Sequence, residues 1–244
     1  MVAFGMIAAS CGNESVNDVE NAVENVRVPV TVNVSGFSVS QEEFPSGSTR
    51  SGAVRGTTRA AADPATYDGV KALTLAFYAG DGTETFKTTQ TKGALEEGET
   101  FGEFTLSLPM GNYTMVVIGH GLNDGEPAVT LTSPTEATFG EYPARETFAT
   151  TQTVNIASTS AVNLSATLDR IIAKLRVVST DGRTANAANV RMTMSAGGKS
   201  FNPTTGLAIT NGGFSNAVNI SAAAGSTSSS ISYLFLTTDE QTMD

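Results

Sequence analysis

Val26-Arg27-Val28-Pro29-Val30-Thr31-Val32-Asn33-Val34 sets a valine at every second position over residues 26–34. Side chains alternate faces along a strand, so this spacing lines one face with valines and predicts a half-buried β-strand. Pro29 has no N–H to give to a ladder. The strand must therefore lie at an edge, or pair on one side only at that point.

The same period recurs along the chain. Leu73, Leu75 and Phe77 alternate with Thr74 and Ala76, and Asp81-Gly82 follows as a hairpin turn signal. Phe104, Leu106 and Leu108 mark the next strand. Pro109-Met110-Gly111-Asn112 reads as a turn, and Tyr113 to Ile118 (YTMVVI) as a strand apolar enough to be buried on both faces. Residues 73–118 are thus expected to form a β-meander. Residues 119–143 carry Gly, Asn, Asp and Pro and read as a loop, with a short strand at Val154 and Ile156.

Val162, Leu164, Ala166 and Leu168 occupy even positions, whereas Ile171, Ala173, Leu175 and Val177 occupy odd ones. The slip at Asp169-Arg170 transfers the apolar set to the other face, which predicts a bulge or a strand passing between two sheets. An amphipathic helix across Leu168–Val178 competes with that reading, but β-branched residues and strict alternation weigh against it. Further strands are expected at Val190–Met194, Phe214–Ile220 and Ile231–Leu236. No stretch carries the 3.6-residue period of a long helix. The fold class is all-β, with strands expected in two domains: residues 66–168, then 169–244. The second is expected to be incomplete, since the sequence stops soon after ISYLFL.

Of the 244 residues 40% are hydrophobic, enough for a real core, and the net charge is −10. An acidic surface repels phosphate backbones, which argues against nucleic acid as a partner. One Cys, one His and no Trp exclude an internal disulfide framework, most zinc sites and a Cys/His dyad within the chain. His120, in Gly119-His120-Gly121, reads as a loop histidine. The acidic pairs Asp81/Glu84, Asp124/Glu126 and Asp239/Glu240 read as turn residues rather than as hydrolytic carboxylates. The five tyrosines, Tyr67, Tyr78, Tyr113, Tyr142 and Tyr233, read as core or rim packing. No catalytic residue, metal site or cofactor is expected, and the chain does not read as an enzyme.

The N-terminus looks processed. Val2 to Ala9 (VAFGMIAA) is too short to span a bilayer, and suits the apolar region of a secretory signal. Ala8-Ala9-Ser10-Cys11 resembles a bacterial lipobox, which makes Cys11 the expected lipidation site within residues 1–11. Residues 12–65 then comprise an acidic tether, the valine strand and a Gly/Ser/Thr-rich stretch bearing Arg50, Arg55 and Arg59. So long an irregular stretch marks either a functional loop or a linker, and its arginines invite trypsin-like proteolysis.

The chain resembles the fimbrillin family of Bacteroidales type V pilins. The resemblance rests on the lipobox around Cys11, the valine strand, TTRAAADP, VKALTLAFYAGDGT, FTLSLPMGNYTMVVIGHG and SATLDRIIAKLRVVSTD. It implies transthyretin-like β-sandwich domains and export as an outer-membrane lipoprotein. It also implies cleavage by an arginine-specific surface protease, and assembly into fimbriae by donor-strand exchange. Carried onto this chain, the cut falls after Arg59, with Arg55 and Arg50 as alternatives. It would discard the displaced strand Val26, Val28, Val30, Val32 and Val34. The implied partners are other pilus subunits, the protease, and outer-membrane lipid through Cys11. The alternative is a permanently anchored monomeric lipoprotein, a pilus anchor or a tip adhesin that binds glycan or host protein.

Overall fold

The computed structural model describes residues 26–38, 62–178, 181–182, 189–194, 197–209, 214–219, 225 and 229–237. The strands are β1 (Arg27–Ser38), β2 (Ala72–Ala79), β3 (Glu84–Thr91), β4 (Glu103–Pro109), β5 (Gly111–His120), β6 (Thr130–Ser133), β7 (Glu136–Thr138), β8 (Thr147–Ile156), β9 (Val162–Arg170), β10 (Ala173–Val178), β11 (Asn189–Met194), β12 (Ser200–Phe201), β13 (Phe214–Asn219) and β14 (Ser229–Leu234). No helix occurs among the described residues.

Seven strands share one ladder in the order β3-β2-β5-β8-β9-β1-β4. The β8·β9 join is two residue pairs wide, Phe148↔Arg170 and Ala149↔Asp169. The ladder bends at this narrow join into two leaves, β3-β2-β5-β8 and β9-β1-β4. Alternate side chains of both leaves meet in one core: the β1 valines, Leu73, Leu75 and Phe77 of β2, Phe104, Leu106 and Leu108 of β4, and Met115 and Val117 of β5. This is the expected all-β sandwich, with one parallel pair, β1·β9, among antiparallel ones.

The other face of β2, β5 and β8 is also covered. Ala76, Tyr78, Val116, Ile118 and Ala149 pack against Leu131, Ala137, Phe139, Phe201 and Phe235. Phe201 and Phe235 stack with centroids 4.2 Å apart. The covering layer is the small sheet β12-β7-β6, which unites an early hairpin with a late strand. Burial on two faces explains the near-continuous apolar runs of β2 and β5.

Three local expectations need correction. No meander forms: β3 and β4 sit at opposite ends of the ladder, and β4 pairs with β1 instead. The chain crosses between leaves at Met110, and the Tyr113 hydroxyl donates to the Pro109 carbonyl across the bend at 2.9 Å. Residues 119–143 are not simply a loop, for they hold the β6–β7 hairpin. Strands of four and three residues are too short to display a period. The strand seen as Val154 and Ile156 begins at Thr147 and spans 10 residues, its outer face hidden by threonine and glutamine. The phase slip, by contrast, does mark a change of sheet: β9 ends at Arg170, and β10 pairs with β14.

Candidate functional site

β1 lies inside its leaf, with β9 on one side and β4 on the other. Val28, Val30 and Val32 are wholly buried. Pairing with β4 runs from Arg27↔Pro109 to Asn33↔Glu103. Pairing with β9 starts only at Val30↔Val162, so Pro29 meets a partner on one side alone, as its missing N–H requires. Val26 lies outside the strand and is exposed.

The alternation breaks near the far end of β1. A bulge between Val34 and Gly36 shifts the register against β9. Ser35 Oγ donates to the Ala166 carbonyl at 3.2 Å and lies 2.9 Å from Thr167 Oγ1. The extra residue turns Phe37 inward, where it is wholly buried. Its ring lies 5.0 Å from that of Phe148 and 5.5 Å from that of Tyr67. Phe37 also exchanges two backbone hydrogen bonds with Ala62, of 2.9 and 3.0 Å. The two ends that flank residues 39–61 are therefore clasped together at Phe37 and Ala62.

A polar network supports the far wall. The Tyr67 hydroxyl donates to Glu146 Oε1 at 2.6 Å. Glu146 pairs with Arg170, and both side chains are mostly shielded from solvent. The Arg170 guanidinium lies over the Phe148 ring, 5.6 Å from its centroid. Nearby, Arg145 pairs with Glu126. Burial opposes the charge on Glu126, but the Arg145 hydrogen bond and charge outweigh it and hold the carboxyl below its usual range.

His120 is not a loop residue. It ends β5, is fully buried, and meets the Phe139 ring edge-on at 5.3 Å. The Val129 N–H donates to its Nε2 at 3.0 Å, so Nδ1 carries the proton and donates to the Gly121 carbonyl at 2.7 Å. Burial pushes its pKa down and keeps it neutral. Tyr78 is likewise buried, and its pKa is raised to about 12 by burial and then by Glu84.

The acidic pairs have local partners. Asp81 accepts from the Thr83 N–H, Glu84 pairs with Lys87, and Glu126 with Arg145. Asp239 and Glu240 lie outside the described residues. No cluster of three or more His, Cys, Asp or Glu that could hold a metal occurs among the described residues. Cys11, Arg50, Arg55 and Arg59 also lie outside them. The structure thus brings four of the five predicted valines, Val28, Val30, Val32 and Val34, together as one buried rib and leaves Val26 outside it. It adds Phe37 at the end of that rib, which the alternation could not reveal because the bulge interrupts it, and Tyr67, Gly119, Glu146, Phe148 and Arg170 from other segments, which only tertiary packing brings there. Gly36 within the strand was the available signal.

Among solved structures, two proposed adhesins from Bacteroides ovatus share this fold. One is 12% identical with TM-score 0.54, covering 98% of this chain and 75% of that one. The other is 11% identical with TM-score 0.56, covering 89% and 72%. The fimbrial anchor protein Mfa2 from Porphyromonas gingivalis is 14% identical with TM-score 0.48, covering 89% and 76%. A comparison with curated proteins finds no match. One family matches residues 23–244, a span that holds every described strand. The chain belongs to that family, described as a family of unknown function, DUF6562.

Proposed function

We propose that the chain is a cell-surface structural subunit of fimbriae that contributes to adhesion, and that β1 is a removable strand. In this reading Cys11 carries lipid at the outer membrane, and an arginine-specific protease cuts after Arg59, or after Arg55 or Arg50. A strand from a neighbouring subunit then takes the place of β1. Residues 66–168 form the unit that holds the groove, and residues 169–244 a second unit.

The observation that carries the reading is the placement of β1. It is an internal strand whose covalent link to the strands that follow runs through residues 39–61. Its removal would open a slot between β9 and β4 and bare Val28, Val30, Val32, Val34 and Phe37 contacts. Each apolar side chain of this size contributes about 1.5–3 kcal/mol when buried. The unpaired backbone groups of two strands add a further drive to accept a substitute strand.

A second reading, a monomeric anchored adhesin, draws support from the fold shared with the two Bacteroides ovatus proteins. The test treats the precursor without its lipid signal with an arginine-specific protease. The product is run unboiled on an SDS gel and its N-terminus sequenced. A new terminus at Ala60 with a ladder of oligomers supports a shaft subunit. Protease resistance of the loop rejects maturation and favours the permanently anchored monomer.

A further inference from the structure

The groove under β1 is not uniform along its length. Val28, Val30, Val32 and Val34 pack into the common core as four side chains of one size and shape. Phe37 enters a socket of different character. Tyr67 and Phe148 flank its ring and meet each other edge-on at 5.8 Å. Opposite the ring edge stands Gly119, where a Cβ would lie 3.1 Å from Phe37 Cε1, 3.0 Å from Leu73 Cδ2 and 3.3 Å from Leu168 Cδ2. The absence of a side chain at Gly119 is what gives the ring its room.

Every wall of this socket belongs to the part of the chain beyond Ala62. Tyr67 is oriented by its bond to Glu146, and Phe148 lies beneath Arg170. Both walls thus have contacts of their own outside β1. The bulge is held from the same side, since Ser35 bonds to Ala166 and Thr167 of β9. A strand with unbroken alternation would aim its next inward side chain one residue early.

We propose that the socket of Tyr67, Phe148, Leu73, Leu168 and Gly119 is the selection site of the groove. It admits a polypeptide strand with apolar residues at i, i+2, i+4 and i+6 and an aromatic residue at i+9. The occupant is a strand of a second polypeptide with this pattern, bound parallel to β9 and antiparallel to β4. The inference rests on the removable-strand reading and adds to it the feature that sets register and partner choice.

The test uses the full chain, cut between residues 38 and 62 at an introduced protease site. The cut protein is incubated in mild denaturant with excess fluorescent peptide of residues 26–38 and then returned to buffer, and incorporation is read by gel filtration. Three peptides are compared: the natural sequence, Phe37→Ala, and one in which Ser35 and Phe37 exchange places. The exchanged peptide keeps the composition, so nonspecific apolar association is unchanged. The expected result is incorporation of the natural peptide at least 10-fold above both others. A Gly119→Leu chain, its socket filled, should lose that preference. Equal incorporation of all three peptides overturns the socket and leaves the groove standing. Failure of every peptide to enter overturns the socket and the removable-strand reading together.

Discussion

Gly119→Ala places one methyl group where Phe37, Leu73 and Leu168 converge, at 3.1, 3.0 and 3.3 Å. These distances are shorter than ordinary carbon contacts, so at least one neighbour must move. Overpacking of this kind costs about 1–3 kcal/mol. Ala also restricts the unfolded chain, which offsets roughly 0.4–1 kcal/mol at a position without strained backbone. The net expectation is a loss of about 0.5–2 kcal/mol. Phe37→Leu removes the ring edge that the methyl meets, at a cost below the ~3–5 kcal/mol of a full Phe→Ala truncation. In that background the methyl should fit better, since only two flexible leucine tips remain close. Urea unfolding of the four chains of the cycle measures the coupling, which should be favourable by roughly 0.5–1.5 kcal/mol, within the range seen for residues in contact. A penalty for Gly119→Ala that is the same with Phe and Leu at position 37 would refute the claim that the glycine makes room for this ring.

Other expectations follow from buried polar groups. Gln90 donates to the Thr100 and Glu103 carbonyls at 3.3 and 2.8 Å and accepts from the Gly102 N–H at 2.9 Å, tying edge strand β3 to the start of β4. Gln90→Leu should cost about 1–3 kcal/mol by orphaning these groups, with faster hydrogen exchange at Gly102; unchanged exchange there would contradict it. Because burial lowers the folded pKa of His120, the unfolded chain takes up the proton first. Its contribution to stability is full above the unfolded value of about 6.5 and declines as pH falls below it. Melting temperature should therefore drop between pH 7 and pH 5.5, by less in His120→Gln, and equal drops would exclude the histidine as the cause. Arg170→Met leaves Glu146 without its cation in a mostly enclosed site, and should cost about 3 kcal/mol. Adding Glu146→Gln should recover part of that loss in the same urea assay.

The strands were legible where one face is buried over several residues. The valines of β1 and the apolar positions of β4 stand at every second residue because only one side of each meets the core. The hairpin at Asp81-Gly82 was legible because Gly82 adopts φ +86°, which a glycine reaches without strain. β6 and β7 were not, since three or four residues hold at most two inward positions. The early half of β8 was hidden for another reason: Thr147 is buried beside Phe148 and Ala149, and the half-buried Thr150, Thr151 and Gln152 that follow are polar, so no apolar alternation shows. At the candidate site the valine rib was visible, whereas Phe37 was not. The bulge at Ser35–Gly36 removes it from the alternation.

Alternation along the chain determined by itself that this protein is all-β, where most of its strands lie, and that the apolar face changes side at Asp169-Arg170. These are local properties, because side-chain direction follows from the strand backbone alone. Tertiary structure alone decided that β4 leaves its sequence neighbours for β1, that β1 runs parallel to β9, and that Tyr67, Gly119 and Phe148 close around Phe37. Backbone hydrogen bonds are the same for every strand, so a sequence period cannot choose partners. The choice falls to the packing of two leaves around a shared core, where bulges, a missing Cβ and a few large rings determine which edges meet.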